Sequence, residues 1–484
     1  MNHTQQNFSR LIAIISSVIA LAIATCLGIW IFGHHDDHHA HVESHMPQYW
    51  YIGILPFLAI LCAIALLPLL AKTRHWWESN TNRFFIAMIC ALGTILYLVL
   101  TSGKESIGPM LDHAIMKDFI PFIILLFSLY VISGGIHLSG DLEATPKVNT
   151  IFLAIGAGIA SFIGTTGASM LLIRPLLSTN KQRKHVVHTI VMFIFLVSNI
   201  GGLLLPIGDP PLFLGYLRGV PFLWTLGLWP MWAVTCSILL VVYFVWDSIL
   251  WNKETDRSHK RDEREQRPIK LKGSINFLYI GGIVIAAALI DSEKPIIGTS
   301  WHPFPYCREL VMLFFVGLSL CSTSDVIRKA NNFTYHAIIE VAALFSGIFI
   351  AMQVPLTVLK ASGEAITETM NQPWQFFWAT GGLSGFLDNA PTYVVFFKLS
   401  QSLPDGELMQ VNDGSVPTSL LIAISLGSVF MGAMTYIGNG PNFMVKAIAE
   451  QEGIKMPSFF GYMAKYSLPV LIPVFIIITL LFLL

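Results

Sequence analysis

The chain has 484 residues, 54% of them hydrophobic and only 12% charged, about half the charged share of a soluble domain. The 29 Lys and Arg balance 29 Asp and Glu, and no basic tract alternates with aromatics, which argues against nucleic acid as a partner. This is the composition of an all-α polytopic membrane protein, with the lipid bilayer as its main surroundings. The six cysteines are scattered, mostly inside apolar runs and without CxxC spacing, so neither a disulfide framework nor a thiolate metal site is expected.

In chain order, residues 11–33 form an apolar run longer than the ~7–15 residues of a signal-peptide core, without a clear cleavage site, and read as a retained first helix. The loop behind it carries His34, His35, His38, His39, His41 and His45 among Asp36, Asp37 and Glu43. Imidazole and carboxylate at that density could bind an external divalent metal such as Zn²⁺, Ni²⁺ or Cu²⁺, although no fixed tetrahedral spacing suggests a catalytic one. A pH sensor or a plain solvated tether are the alternatives. A helix needs ~20 apolar residues to cross a bilayer. Candidate spans follow at 49–71, 84–101, 119–138, 187–217 and 223–251, and again at 275–290, 310–322, 336–359, 419–445 and 459–484.

Residues 151–177 and 374–399 are interrupted midway by small polar residues. Arms of ~13 residues would reach ~20 Å, short of the ~30 Å hydrocarbon core, so both read as re-entrant hairpins. Lys72, Arg74 and Arg83, and the eight basic residues of the loop at 252–273, place those loops in the cytoplasm. Lys181, Arg183 and Lys184 join them only if the first hairpin enters and leaves by the cytoplasmic face. The second hairpin then descends from outside, and the loop after it holds Asp405, Glu407 and Asp413 without Lys or Arg. The expected organisation is an N-terminal helix and His-rich loop (1–47), a first repeat (48–251), a charged linker (252–273) and an inverted second repeat (274–484), with the N-terminus and central loop cytoplasmic.

One motif occurs twice. Gly202-Leu-Leu-Leu-Pro206-Ile207-Gly208-Asp209-Pro210-Pro211-Leu-Phe213 and Gly432-Ala-Met-Thr435-Tyr-Ile437-Gly438-Asn439-Gly440-Pro441-Asn442-Phe443 align Gly, Ile, Gly, Pro and Phe, with Asp209 opposite Asn439. Membrane helices broken by Gly and Pro at matching places in two halves mark a secondary transporter whose site lies at the breaks.

The first hairpin tip reads Gly164-Thr165-Thr166-Gly167-Ala168-Ser169, and the second Ser384-Gly-Phe-Leu-Asp388-Asn389-Ala-Pro391-Thr392. An ionised carboxylate at bilayer depth costs about 2.5–3.5 kcal/mol on insertion scales, so Asp388 and Asp209 are the leading ion-binding and protonating candidates. Each could also cap the helix that follows it. Thr165, Thr166, Ser169, Ser198, Asn199, Asn389, Thr435, Asn439 and Asn442 supply neutral oxygens and amides at the same depth, the ligands a dehydrated Na⁺ takes. Glu340 and His137 could relay protons or sit at the interface, and Arg174 could attract an anion or anchor the topology.

At 198–211, 386–392 and 435–443 the chain resembles the ion transporter superfamily, most closely the branch of citrate transporters and NhaD-type Na⁺/H⁺ antiporters related to arsenite permeases. The likeness covers roughly residues 49–484. It implies two inverted repeats with paired hairpins, a scaffold part and a moving part, a homodimer, and acidic positions matching Asp209 and Asp388. The chain departs from the antiporter pattern at Thr166-Gly167, where relatives carry Asn-Asp, and from the dicarboxylate carriers in lacking paired Ser-Asn-Thr tips. The expectation is a secondary transporter of the inner membrane that exchanges Na⁺ for H⁺, the alternative a cation-coupled carrier of citrate or another organic anion. No cofactor is expected beyond the transported ions, and nothing like HExxH suggests an enzyme.

Overall fold

The computed structural model describes residues 47–484 except 69, 71, 256–266, 293, 294, 296–299, 368, 404 and 405. The run at 11–33 and the His-rich loop lie outside the described residues. Among the described residues six helices are long and apolar enough to cross a membrane: Asn80–Ser102, Lys104–Ser133, Pro146–Ile163, Val187–Leu204, Trp224–Trp251 and Phe459–Phe482. A further candidate span, His336–Ala351 with Gln353–Ser362, bends by 40°. The protein is an all-α polytopic membrane protein whose strands form two small antiparallel ladders.

The elements used below are α1 (Trp50–Leu66), α2 (Asn80–Ser102), α3 (Ile120–Ser133), β1 (His137–Asp141), the hairpin arms α4 (Pro146–Ile163) and α5 (Thr165–Thr179), the broken helix α6 (Val187–Leu196) and α7 (Pro210–Leu217), and α8 (Trp229–Trp251). The second half supplies β2 (Arg267–Lys272), α9 (Ile275–Leu289), α10 (Cys307–Ser322), α11 (His336–Ala351), α12 (Gln353–Thr367), the hairpin arms α13 (Pro373–Ser384) and α14 (Asn389–Ser400), the ladder β3 (Leu408–Val411) and β4 (Gly414–Pro417), the broken helix α15 (Thr418–Met431) and α16 (Gly440–Gln451), and α17 (Leu468–Phe482).

Packing repeats across the halves. Helix α1 lies on α2 as α9 lies on α10, and α2 packs against α11 as α10 packs against α3. These helices form one bundle. The hairpins, broken helices, α8 and α17 form the other. Within it each second half of a broken helix lies against the hairpin of the opposite repeat, α7 on α14 and α16 on α5. Helix α8 covers α4, and α17 covers α13 through the Trp378 Nε1 bond to Thr479 Oγ1 at 3.1 Å and the Phe377–Phe475 ring contact.

Proline and capping side chains start these helices where the chain must turn. Thr145 Oγ1 accepts from the Val148 amide ahead of Pro146, and Gln372 and Gln375 form a capping box around Pro373; proline is well placed in a first turn, where its missing N–H has no partner to lose. The capped start at Pro146 makes α4 18 residues long, longer than the ~13-residue arm expected from the sequence and ~27 Å at the helical rise. It still turns back, because Gly164 takes φ 77°, a left-handed conformation that glycine adopts without strain. The span expected at 119–138 also differs. It begins earlier, runs through a π-helical stretch at Asp112–Phe119, and ends at Ser133 before β1.

The loops sort into two ends. At one, β1 pairs with β2, His137 Nδ1 bonds Asn331 Oδ1 at 2.7 Å, Asn80 Nδ2 donates to the His336 carbonyl at 2.9 Å, and the Lys184 and His185 amides donate to Glu254. At the other, the Asn412 amide donates to the Arg218 carbonyl at 3.0 Å and Tyr216 Oη donates to the Ala287 carbonyl at 2.6 Å. The first hairpin opens toward the end that holds the central loop and the second toward the opposite end.

Candidate functional site

Both broken helices stop, run through a short 3₁₀ turn (Ile200–Leu204 and Gly432–Met434), and restart as α7 and α16. The restart residues have matching backbones: Asp209 at φ −142°, ψ 141° and Asn439 at φ −153°, ψ 140°. Each break folds back on itself so tightly that a Cβ on Gly208 would meet the Gly202 carbonyl oxygen at 2.2 Å, and one on Gly438 the Gly432 carbonyl oxygen at 2.6 Å. The glycine repeat is thus a requirement of close backbone approach.

Asp209 stands in an N-cap position, yet its carboxylate does not cap α7. Its Oδ1 accepts from Thr165 Oγ1 at 3.0 Å and from Asn439 Nδ2 at 2.9 Å, and its Oδ2 accepts from Asn389 Nδ2 at 2.7 Å. One buried carboxylate therefore joins the first hairpin tip, the second hairpin tip and both breaks. The Thr165 amide also donates to the Gly208 carbonyl at 2.8 Å, seating the first tip on its own break. Asn389 leaves its Oδ1 buried without a partner, an oxygen free to meet an additional ligand.

Around this centre the neutral groups divide by task. Asn439 Nδ2 also reaches the Ser198 carbonyl and Asn199 Oδ1. Asn199 Nδ2 donates to Asn442 Oδ1 at 2.7 Å, and Asn442 donates to the Gly432 and Thr435 carbonyls, so this pair ties the two breaks together. Thr435 Oγ1 donates to the Gly385 carbonyl and accepts from the Ile437 and Gly438 amides, which shapes the second break. Ser169 and Ser198 share a bond of 2.7 Å behind the first tip, while Thr166 is half-buried beside it.

Asp388 is half-buried and caps α14, its Oδ1 accepting from the Ala390 amide at 3.1 Å. The cap reading of that residue is thus realised in the structure, and the carboxylate at the centre is Asp209. Glu340 is salt-bridged to buried Arg83 at 2.9 Å in the bundle that lacks the breaks, and His137 is held by Asn331 at the start of β1. Arg174 faces Glu452 at 3.8 Å.

Several charged groups went unsingled in the sequence. Asp247 lies fully buried on α8 and accepts from Arg183 at 2.5 and 3.0 Å and from His188 at 2.7 Å, next to the reciprocal Asn149–Asn180 pair. Asp118 binds Arg218 at 2.9 Å, and Lys446 lies over the Tyr436 and Phe443 rings. A charge inside an apolar run is the signal that could have found Asp247; the partners of Asp247 and Asp118, distant in sequence, carry none.

Two halves with matching broken helices, paired hairpins and a polar centre buried where the breaks cross are the architecture of a multi-pass membrane secondary transporter. Residues 43–483 match the family model CitMHS_2, described as "Putative citrate transport", and the chain belongs to that family. No curated protein matches the chain.

Proposed function

We propose that this protein exchanges Na⁺ for H⁺ by alternating access, with Asp209 as the group both cations occupy in turn. The observation that carries the reading is the Asp209 carboxylate: it is 1% exposed, and among the described residues its side-chain partners are the neutral donors Thr165, Asn389 and Asn439. A buried anion without a cationic partner is costly by several kcal/mol unless it takes up a proton or a metal cation. Na⁺ prefers hard oxygen ligands. The free Asn389 Oδ1, Thr165 Oγ1, the Ser198 carbonyl and Asn199 Oδ1 lie around the carboxylate to supply them. A bound cation favours the ionised carboxyl and burial favours the protonated one, which makes the two ions competitors for one site.

The repeats at 48–251 and 274–484, inverted about the 252–273 linker, would present this site to each face in turn. The excess of Lys and Arg at the central-loop end supports a cytoplasmic side for that end, and the reading is of an inner-membrane carrier that works as a homodimer. Asp388 and Thr166, half-buried at the two tips, stand on the approach to the site, and Ser169 supports the first tip from behind through Ser198. A second reading, cation-coupled transport of citrate or another organic anion, is favoured by the family description and by the helix starts at Thr165, Pro210, Asn389 and Gly440 that gather at the site, since helix N-termini attract carboxylates.

The test is acridine-orange fluorescence in proteoliposomes holding a preset pH gradient, with NaCl added first and citrate second. Dequenching by Na⁺ in the wild type and none in Asp209→Asn is the expected result. Silence to Na⁺ with a response to citrate alone overturns the exchange reading and makes Asp209 part of a coupling-ion site.

A further inference from the structure

The two broken helices differ in what holds their outer ends. Phe213 on α7 and Phe443 on α16 occupy equivalent places in the repeated motif, and each has a cation over its ring. Over Phe443 the cation is Lys446 of the same helix, at 5.8 Å, which also lies over Tyr436 and pairs with Glu450 at 3.0 Å. Over Phe213 it is Arg308, at 6.0 Å, which comes from α10 in the other bundle.

Arg308 is one of three clasps on the end of α7. Its Nη1 donates to Tyr216 Oη at 3.3 Å and its Nε and Nη2 donate to Glu309. Tyr216 Oη in turn donates to the Ala287 carbonyl of α9 at 2.6 Å. Arg218, immediately after α7, pairs with Asp118 in the π-helical stretch that precedes α3, with side chains 16% and 4% exposed. Three elements of one bundle thus grip a single turn of the other with desolvated polar contacts. At the central-loop end the seam between the bundles is apolar, with Tyr130, Met170 and Ile338 packed together beside Met444.

Separating the two kinds of seam has unequal consequences. An apolar seam that parts in a membrane leaves no charge without a partner, whereas parting a buried ion pair strands both charges until water reaches them. We propose that Asp118–Arg218, backed by Arg308 on Tyr216 and Phe213, is a latch that holds the α7 end of the transport pathway shut, so that opening to that side begins with its release. The latch rests on the alternating-access reading of the protein and assigns the gate on one side to these residues.

The latch is testable without any transported ion. In a background with the six native cysteines replaced by alanine, a reporter at Leu214→Cys, 1% exposed on α7, and a control at Met170→Cys, 7% exposed in the opposite seam, are labelled with a maleimide in the detergent-purified protein. Asp118→Asn is expected to speed labelling of the reporter by about a hundredfold, the lower end of the effect of breaking one partner of a buried pair, and to leave the control slow. The exchanged pair Asp118→Arg with Arg218→Asp should return the reporter to its parent rate. No change at Leu214→Cys, equal acceleration at both cysteines, or acceleration that persists in the exchanged pair would overturn the latch. Because labelling needs no flux, a protein silent to Na⁺ leaves this result readable.

Discussion

The two hairpins keep their charge at opposite places. The first has a neutral tip, Thr165-Thr166, and buries its charge at the base, where Arg183, Asp247 and His188 close a fully desolvated network with α8. The second carries Asp388 at its tip, and its base is held by an ion pair, Lys398–Asp413, whose acid is largely exposed. The two hairpins therefore share a helix–turn–helix backbone without sharing its electrostatics. The first hairpin is bolted down and offers the Thr165 hydroxyl to the site; the second offers the Asn389 amide and keeps its carboxylate as a cap.

The bases should show the largest difference. Arg183→Met leaves Asp247 buried beside His188 and is expected to cost about 3–5 kcal/mol, the range for stranding one member of a buried pair. Lys398→Met at the second base should cost less than about 1 kcal/mol, as exposed pairs do. Thermal unfolding of the two variants in detergent measures the gap, and equal losses would show that the second hairpin is as firmly held as the first.

The breaks differ by one side chain on a shared backbone. Asp209→Asn removes the one charge that Thr165, Asn389 and Asn439 surround, and transport in proteoliposomes should fall by about a hundredfold or more because a neutral amide no longer needs the coupling cation. The exchanged variant, Asp209→Asn with Asn439→Asp, puts the acid on the equivalent backbone position and restores one carboxylate facing one amide. Partial recovery is expected, limited because Thr165 and Asn389 are aimed at position 209. Full recovery would mean that the two breaks are equivalent for function.

How much of this was legible follows from the range of each signal. The breaks were readable because Gly208 and Gly438 are needed for backbone contacts made within a few residues, so the requirement is written locally and written twice. The hairpins were readable from polar tips in apolar runs, though the start of α4 was missed because a Thr-Pro cap outweighed hydropathy as the boundary. Depth in an apolar run marked Asp388 and Asp209 alike. Which carboxylate turns inward depends on partners at Thr165, Asn389 and Asn439, spread across both halves. The Asp247 network and the Asp118–Arg218 pair were hidden for the same reason, since 59 to 100 residues separate the members of those ion pairs.

Two threonines sharpen the distinction between a group that serves the ion and one that shapes the chain. Thr165→Val removes one donor to Asp209; a single hydrogen bond to a charged group is worth about 1.5–3 kcal/mol, so apparent Na⁺ affinity should change by about tenfold or more while the melting temperature moves little. Thr435→Val removes three backbone contacts and leaves the Ile437 and Gly438 amides without that acceptor, so it should lower stability by about 1–3 kcal/mol before any transport defect is read. Parallel melting and flux measurements separate the two, and the reverse pattern would exchange their roles.

The smallest effect is expected at Asp388, where the two possible roles of a tip carboxylate come apart cleanly. Asn caps a helix about as well as Asp, so Asp388→Asn should retain the bond to the Ala390 amide and unfold within about 0.5 kcal/mol of the wild type. Asp388→Ala loses the cap and should cost about 1 kcal/mol. Flux then decides the remaining question. If Asp388→Asn transports at the wild-type rate while Asp209→Asn does not, the carboxylate at the second tip acts as a cap and the exchange of cations belongs to Asp209 alone; if both fail with stability intact, the two acids share the ion, and the charge difference between the hairpins is itself part of the transport cycle.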